Sequence, residues 1–127
     1  MSRWQGSART NYVKIKPECL PKLFEKFDHL GVGYKIDSDK GLMFYAQSCD
    51  EVLLDTLQPD QETMDCLEQG QVLIVMSASF DGIDYVGGSA TAYHTDGRIV
   101  MLKLEDIYSE VTSRFNVDFP TLTRAED

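Results

Sequence analysis

Two Asp-Gly dipeptides, Asp81-Gly82 and Asp96-Gly97, separate three strand-like runs, "QVLIVMSASF", "IDYVGGSATAYH" and "RIVMLKL". Asp-Gly supplies the positive φ angles of a type I′ turn, whose twist matches the strands on either side. Residues 72–103 are therefore expected to form three consecutive antiparallel strands. Gly87-Gly88 inside the middle run predicts a bulge or sharp bend.

The rest of the chain supplies the layers around this meander. "NYVKIK" (Asn11 to Lys16) alternates Val13 and Ile15 against Tyr12, Lys14 and Lys16, which predicts a strand with one wet face, stopped by Pro17. Leu20, Leu23, Phe24, Phe27 and Leu30 then recur at helical spacing, with Pro21 in the first turn and Gly31 or Gly33 as the left-handed cap. Tyr34–Ile36 and Leu42–Ala46 read as a hairpin joined through "DSDKG". Residues 50–70 read as two short helical pieces split at Pro59 and ended by Gly70. "LEDIYSEVTSRFN" places Leu104, Ile107, Tyr108, Val111 and Phe115 on one stripe, with acids early and Arg114 late, and predicts a closing helix packed on the sheet.

Strands and helices are segregated, without β-α-β alternation. The expected fold is thus α+β: an antiparallel sheet of five or six strands against two main helices, in a single domain over residues 1–127. Residues 1–10 are expected to be an N-terminal arm pinned to the sheet by Trp4, and 121–127 a tail that frays. No apolar run approaches the roughly 18 residues of a membrane span, and the N-terminus lacks a signal peptide's apolar core, so the expected compartment is the cytoplasm. Cys19, Cys49 and Cys66 have neither disulfide nor zinc spacing and read as reduced, mostly buried thiols.

Chemical motifs are sparse. His29 falls late in the first helix and His94 at the second hairpin turn, and both read as structural or solvent-facing. A Cys49–His94 nucleophile pair has no local support. "DSDKG" opens like a calcium loop, but Gly41 and Ser48 stand where ligands are required. "GGSA" lacks the lysine and helix of a phosphate loop. No catalytic residue, metal site or cofactor is expected, and the chain reads as non-enzymatic.

Charge is the one lopsided quantity. Residues 1–40 hold eight bases against five acids, residues 41–97 hold ten acids and no base, and residues 98–127 hold four bases against six acids, giving a net charge of −9. Asp50, Glu51, Asp55, Asp60, Glu62, Asp65 and Glu68 crowd into one stretch, with Asp81 and Asp84 further on. Carboxylates at helical spacing repel one another by a few tenths of a kcal/mol per pair, and they imitate the charge spacing of a nucleic-acid strand. These nine residues are the expected partner-binding surface. The partner is a basic protein surface, such as a nuclease or another nucleic-acid-binding complex, whereas nucleic acid itself and anionic membranes would be repelled. The oligomeric state is left open.

"SARTNYVKIK" near the start and "LEDIYSEV" near the end resemble segments of small phage- and plasmid-borne proteins found among anti-restriction and anti-CRISPR inhibitors. The resemblance implies an acidic, non-enzymatic α+β inhibitor that acts by binding, and it carries over no individual residue. The alternative expectation is a small α+β module that binds a small ligand or a copy of itself through exposed apolar residues of the meander. An enzyme using Cys49 or scattered carboxylates ranks third.

Overall fold

The computed structural model of the protein describes residues 4–48, 57–81 and 85–116. It is an α+β fold built on one six-stranded antiparallel sheet. The elements run β1 (Trp4–Thr10), a 3₁₀ turn (Pro17–Cys19), α1 (Leu20–Leu30), β2 (Gly33–Asp37), β3 (Gly41–Ser48), α2 (Gln61–Asp65), β4 (Val72–Asp81), β5 (Tyr85–His94), β6 (Ile99–Lys103) and α3 (Asp106–Phe115). Strand order across the sheet is β2-β3-β1-β4-β5-β6.

The expected meander and hairpin are present, with local chemistry that departs from expectation. His94 N–H donates to Arg98 C=O at 2.9 Å and Gly97 N–H to His94 C=O at 2.9 Å. Gly97 has φ 98° and Asp96 is not in the left-handed region. The connection is therefore a three-residue loop, a type I turn closed by a left-handed glycine, and not a type I′ turn. At the first Asp-Gly, Asp81 pairs with Tyr85, and the turn expected between them lies outside the described residues. Gly87-Gly88 makes no bulge, because β4 and β5 pair residue for residue from Val72↔His94 to Asp81↔Tyr85. A Cβ on Gly88 would meet Leu104 Cδ1 and Ser77 O at 3.1 Å, so this glycine makes room for the Leu104 side chain.

The largest difference is at the N-terminus. Residues 4–10 are not an arm beside the sheet but its third strand, hydrogen-bonded to β3 on one side and β4 on the other. Gly6, Ala8 and Thr10 alternate toward the core, and their small side chains leave room for α1 above them. The anchoring expected of the Trp4 side chain lies outside the described residues, as does the tail 121–127. Asn11–Lys16, expected as a strand, makes only two isolated bridges, Val13↔Leu42 and Ile15↔Leu67. Its alternation is nonetheless right, since Val13 and Ile15 are buried. It leaves the sheet at Asn11, whose side-chain amide continues the ladder by donating to Val72 C=O and accepting from Ile74 N–H.

The core lies between one sheet face and α1. Leu23 and Phe27 of α1 pack with Ala8, Leu42, Phe44, Ala46, Leu73 and Val75, and Val13, Ile15, Val32, Leu57, Cys66 and Leu67 complete the cluster. The Phe27 ring stacks on Phe44 and the Phe24 ring on Tyr34, each at 4.8 Å between centroids. Each such side chain contributes roughly 1.5–3 kcal/mol by leaving water. This core serves the β2-β3-β1-β4 part of the sheet. β6 and α3 add no residue to it: all five residues of β6 are exposed, and α3 buries no side chain. The stripe expected to seat α3 is only half covered, with Tyr108 and Val111 half-buried and Ile107 and Phe115 facing solvent. β6 is the terminal strand, beyond the reach of α1, so that end of the sheet has no wall for α3 to lean on among the described residues. No helix among the described residues is long and apolar enough to cross a membrane.

Candidate functional site

Of the nine carboxylates singled out by charge, Asp50, Glu51, Asp55 and Asp84 lie outside the described residues, together with the first helical piece expected there. Asp81 ends β4, paired with Trp4 and Tyr85 across the two ladders. The remaining four surround α2, which is a single five-residue turn of helix and not an extended acidic rod. Asp60 is its N-cap: Oδ1 accepts from Thr63 N–H at 2.9 Å, and Oδ2 is ion-paired with Lys26 of α1. That hydrogen bond from Lys26, reinforced by the Thr63 donors, holds the Asp60 carboxyl down at about 2. Glu62 pairs with Lys22 of α1 at 3.2 Å, and the partnership raises the lysine's pKa above its ordinary value. The stretch contains no base of its own, but α1 lends it two. Asp65 accepts from Gln61 Nε2 at 2.8 Å, and Glu68, beyond the helix, is exposed. Around α2 the described acidic surface is therefore two carboxylates without a lysine or arginine partner among the described residues, beside two ion-paired ones.

The described histidines, turn carboxylates and cysteines make local contacts. His94 Nδ1 lies 3.0 Å from Asp96 N–H and 3.1 Å from Asp96 Oδ1. The backbone donor makes Nδ1 the accepting, unprotonated nitrogen, so the carboxylate contact has no proton to share there. His29 is exposed in the last turn of α1, where the helix dipole favours it. Asp37 Oδ1 accepts from the N–H groups of Asp39 and Lys40, which closes the β2–β3 turn and lowers its pKa. Cys19 and Cys66 are free thiols. Burial, together with the neighbouring Cys19, pushes Cys66 up to about 11, which keeps it a protonated, poorly nucleophilic thiol at neutral pH. Cys49 lies outside the described residues.

What the structure gathers is apolar. Register places Tyr45, Arg9, Met76, Ala90 and Leu102 in one row across β3, β1, β4, β5 and β6, on the face opposite the core. Ile74, Ala92 and Val100 form the next row, and Leu104 sits over Gly88 on the other side. Along this face Met76 is 58% exposed, Val100 63% and Leu102 64%. On the opposite face of β6, Ile99 and Met101 are more than half exposed as well. Seven large apolar residues between Ile99 and Phe115, each over half exposed, thus crowd one end of the molecule. Isolated exposed leucines are ordinary, but exposed apolar residues in this number on one strand and its adjoining helix mark a contact surface. The sequence signal was the unbroken Ile99–Leu102 run: a strand apolar on both faces is either interior or awaiting cover.

No protein-family model, curated protein or solved structure matches this chain.

Proposed function

We propose that the chain is a protein-binding module that works through the apolar end of its sheet, β6 with the adjoining outer face and α3, and not through covalent chemistry. The observation that carries this reading is the exposure of every residue of β6 on the terminal strand of the sheet. An edge strand whose one lysine stands at its end, and which has no proline, has little protection against pairing along Ile99–Leu102, and its apolar side chains gain by leaving water. Methionine oxidation tests the reading. Met101 on the edge and Met76 on the outer face are exposed thioethers, whereas Met43 is buried and serves as the control. In an extract of the source cells, Met101 should oxidise several-fold more slowly than in dilute purified protein, with Met76 slowed too if the cover extends across the face. Equal rates at both methionines in the two conditions would overturn the proposal.

A second reading keeps one observation in its favour. The base-free run from residue 41 to 97 leaves a strong negative excess, of which Asp65 and Glu68 are exposed and without a lysine or arginine partner among the described residues. These carboxylates would hold a basic nucleic-acid-binding protein in the manner of the anti-restriction and anti-CRISPR inhibitors that the chain's terminal segments resemble. Charge reversal at the two positions tests it, as argued below.

A further inference from the structure

We infer that the occupant of the β6 edge is a second copy of this chain, joined by antiparallel pairing of β6 with β6 about a two-fold axis at Met101; the inference rests on the binding role proposed for that edge. Backbone parity fixes the register. Leu104 N–H donates to Gly88 C=O and His94 N–H to Arg98 C=O, so residues 98, 100, 102 and 104 turn their backbone groups toward β5. Ile99, Met101 and Lys103 consequently turn theirs outward, along the free edge. Lys103 N–H points away from β5 as this requires, and donates to Asp106 Oδ2 at 2.9 Å. Among the described residues, the outward N–H groups of Ile99 and Met101 remain for a partner, with the outward carbonyls of Ile99, Met101 and Lys103.

Centring a two-fold axis on Met101 satisfies these groups reciprocally, all but the Ile99 carbonyl, whose counterpart, the copy's Lys103 N–H, is held by Asp106. Met101 N–H and C=O exchange bonds with the same groups of the copy, and each Ile99 N–H donates to the copy's Lys103 C=O. Val100 then faces Leu102 of the copy at the closely spaced, non-hydrogen-bonded position, where cross-strand apolar contact is strongest. The same surface is thus complementary to itself, as an isologous interface demands. Seven apolar residues more than half exposed, at roughly 200 Å² of full surface each, offer on the order of 800 Å² per chain, about one partner's share of a stable interface. Opposite charges stand together at the edge: Arg98 is ion-paired with Asp96, and Lys103 sits beside Asp106.

Light scattering or sedimentation of the full chain tests the register as well as the assembly. At concentrations up to the order of 100 μM, where a standard-sized interface of even micromolar Kd is filled, the wild type should weigh twice its 14.4 kDa. Met101→Lys sets two lysines against each other on the axis and should weaken the dimer by about 10-fold or more in Kd. Ile99→Lys faces Lys103 of the copy and should also weaken it, whereas Ile99→Glu, equally polar, should preserve it. Both positions are exposed, so circular dichroism should match the wild type; were Met101→Lys to misfold, the two Ile99 variants decide the matter. A monomeric wild type overturns the inference, and so does a dimer indifferent to these substitutions. A monomeric wild type whose Met101 is nevertheless protected in extract places a different protein on the edge, so that the inference falls while the binding role stands.

Discussion

Asp60 joins two helices through one carboxyl group. As N-cap it supplies an acceptor to Thr63 N–H, and as the partner of Lys26 it ties α2 to α1. Its folded pKa, about 2, lies below the ordinary 3.8, so its contribution is complete above pH 4 and disappears as pH falls from about 4 to about 2. The carboxylate is 55% exposed, and solvent screening limits the charge contribution to on the order of 1 kcal/mol. Asp60→Asn retains the capping oxygen and loses the charge. Its unfolding free energy should be about 1 kcal/mol lower at neutral pH and should decline less steeply than the wild type's between pH 4 and 2, as urea titrations across that range would show. Asp60→Ala removes the cap as well and should cost about 1–2 kcal/mol. If Asp60→Asn keeps the wild-type pH profile, the Lys26 pair contributes nothing. None of this was legible in the acidic stretch read by itself, because both lysines that answer it lie on α1, some forty residues earlier in the chain.

At the scale of elements, α2 and β6 make opposite claims on a partner, and each is testable alone. Asp65→Lys with Glu68→Lys alters exposed positions outside the core, and should change stability by no more than about 0.5 kcal/mol per site. If the acidic reading holds, the wild type's association rate with a basic nucleic-acid-binding protein should fall about 10-fold or more between low and physiological salt, and the double reversal should flatten that dependence. An unchanged rate and salt slope would reduce the acidic surface to solvated charge. Glu62 is left out of the reversal deliberately, since a lysine there would face Lys22 and confuse lost binding with new repulsion. The elements themselves were readable to different depths. The period of α1 with Gly31, the β2–β3 hairpin and the meander all follow from neighbours a few residues apart. The turn at residues 95–97 lies where Asp-Gly places it but differs in type, since Asp-Gly serves both a two-residue I′ turn and a type I turn closed by glycine; only the His94–Arg98 pairing separates them.

Across the whole molecule, order should be graded from the covered half of the sheet to the open one. Leu73 on β4 is fully buried in the core cluster, and Leu73→Ala should cost about 2–5 kcal/mol in denaturant unfolding. Hydrogen exchange should find the β1 and β4 amides slowest, and the outward amides of Ile99 and Met101 fast in dilute protein. A β1 as labile as an arm would contradict its place in the sheet. The sequence by itself determined the α+β class, the three C-terminal strands, the hairpin and the first helix, because turn chemistry and side-chain periodicity act over spans shorter than about a dozen residues. Only the tertiary structure decided that Trp4–Thr10 enters between β3 and β4, that Asn11–Lys16 leaves the sheet, that α1 neutralises part of the acidic stretch, and that β6 is the exposed terminal strand among the described residues. "WQGSART" carries no strong alternation of its own, and its strand state comes from ladders to residues as far away as Asp81. The physical reason is that burial and pairing belong to neighbours in space: a periodic pattern says which face of an element is apolar, but what that face meets is set by chain segments that local sequence does not contain.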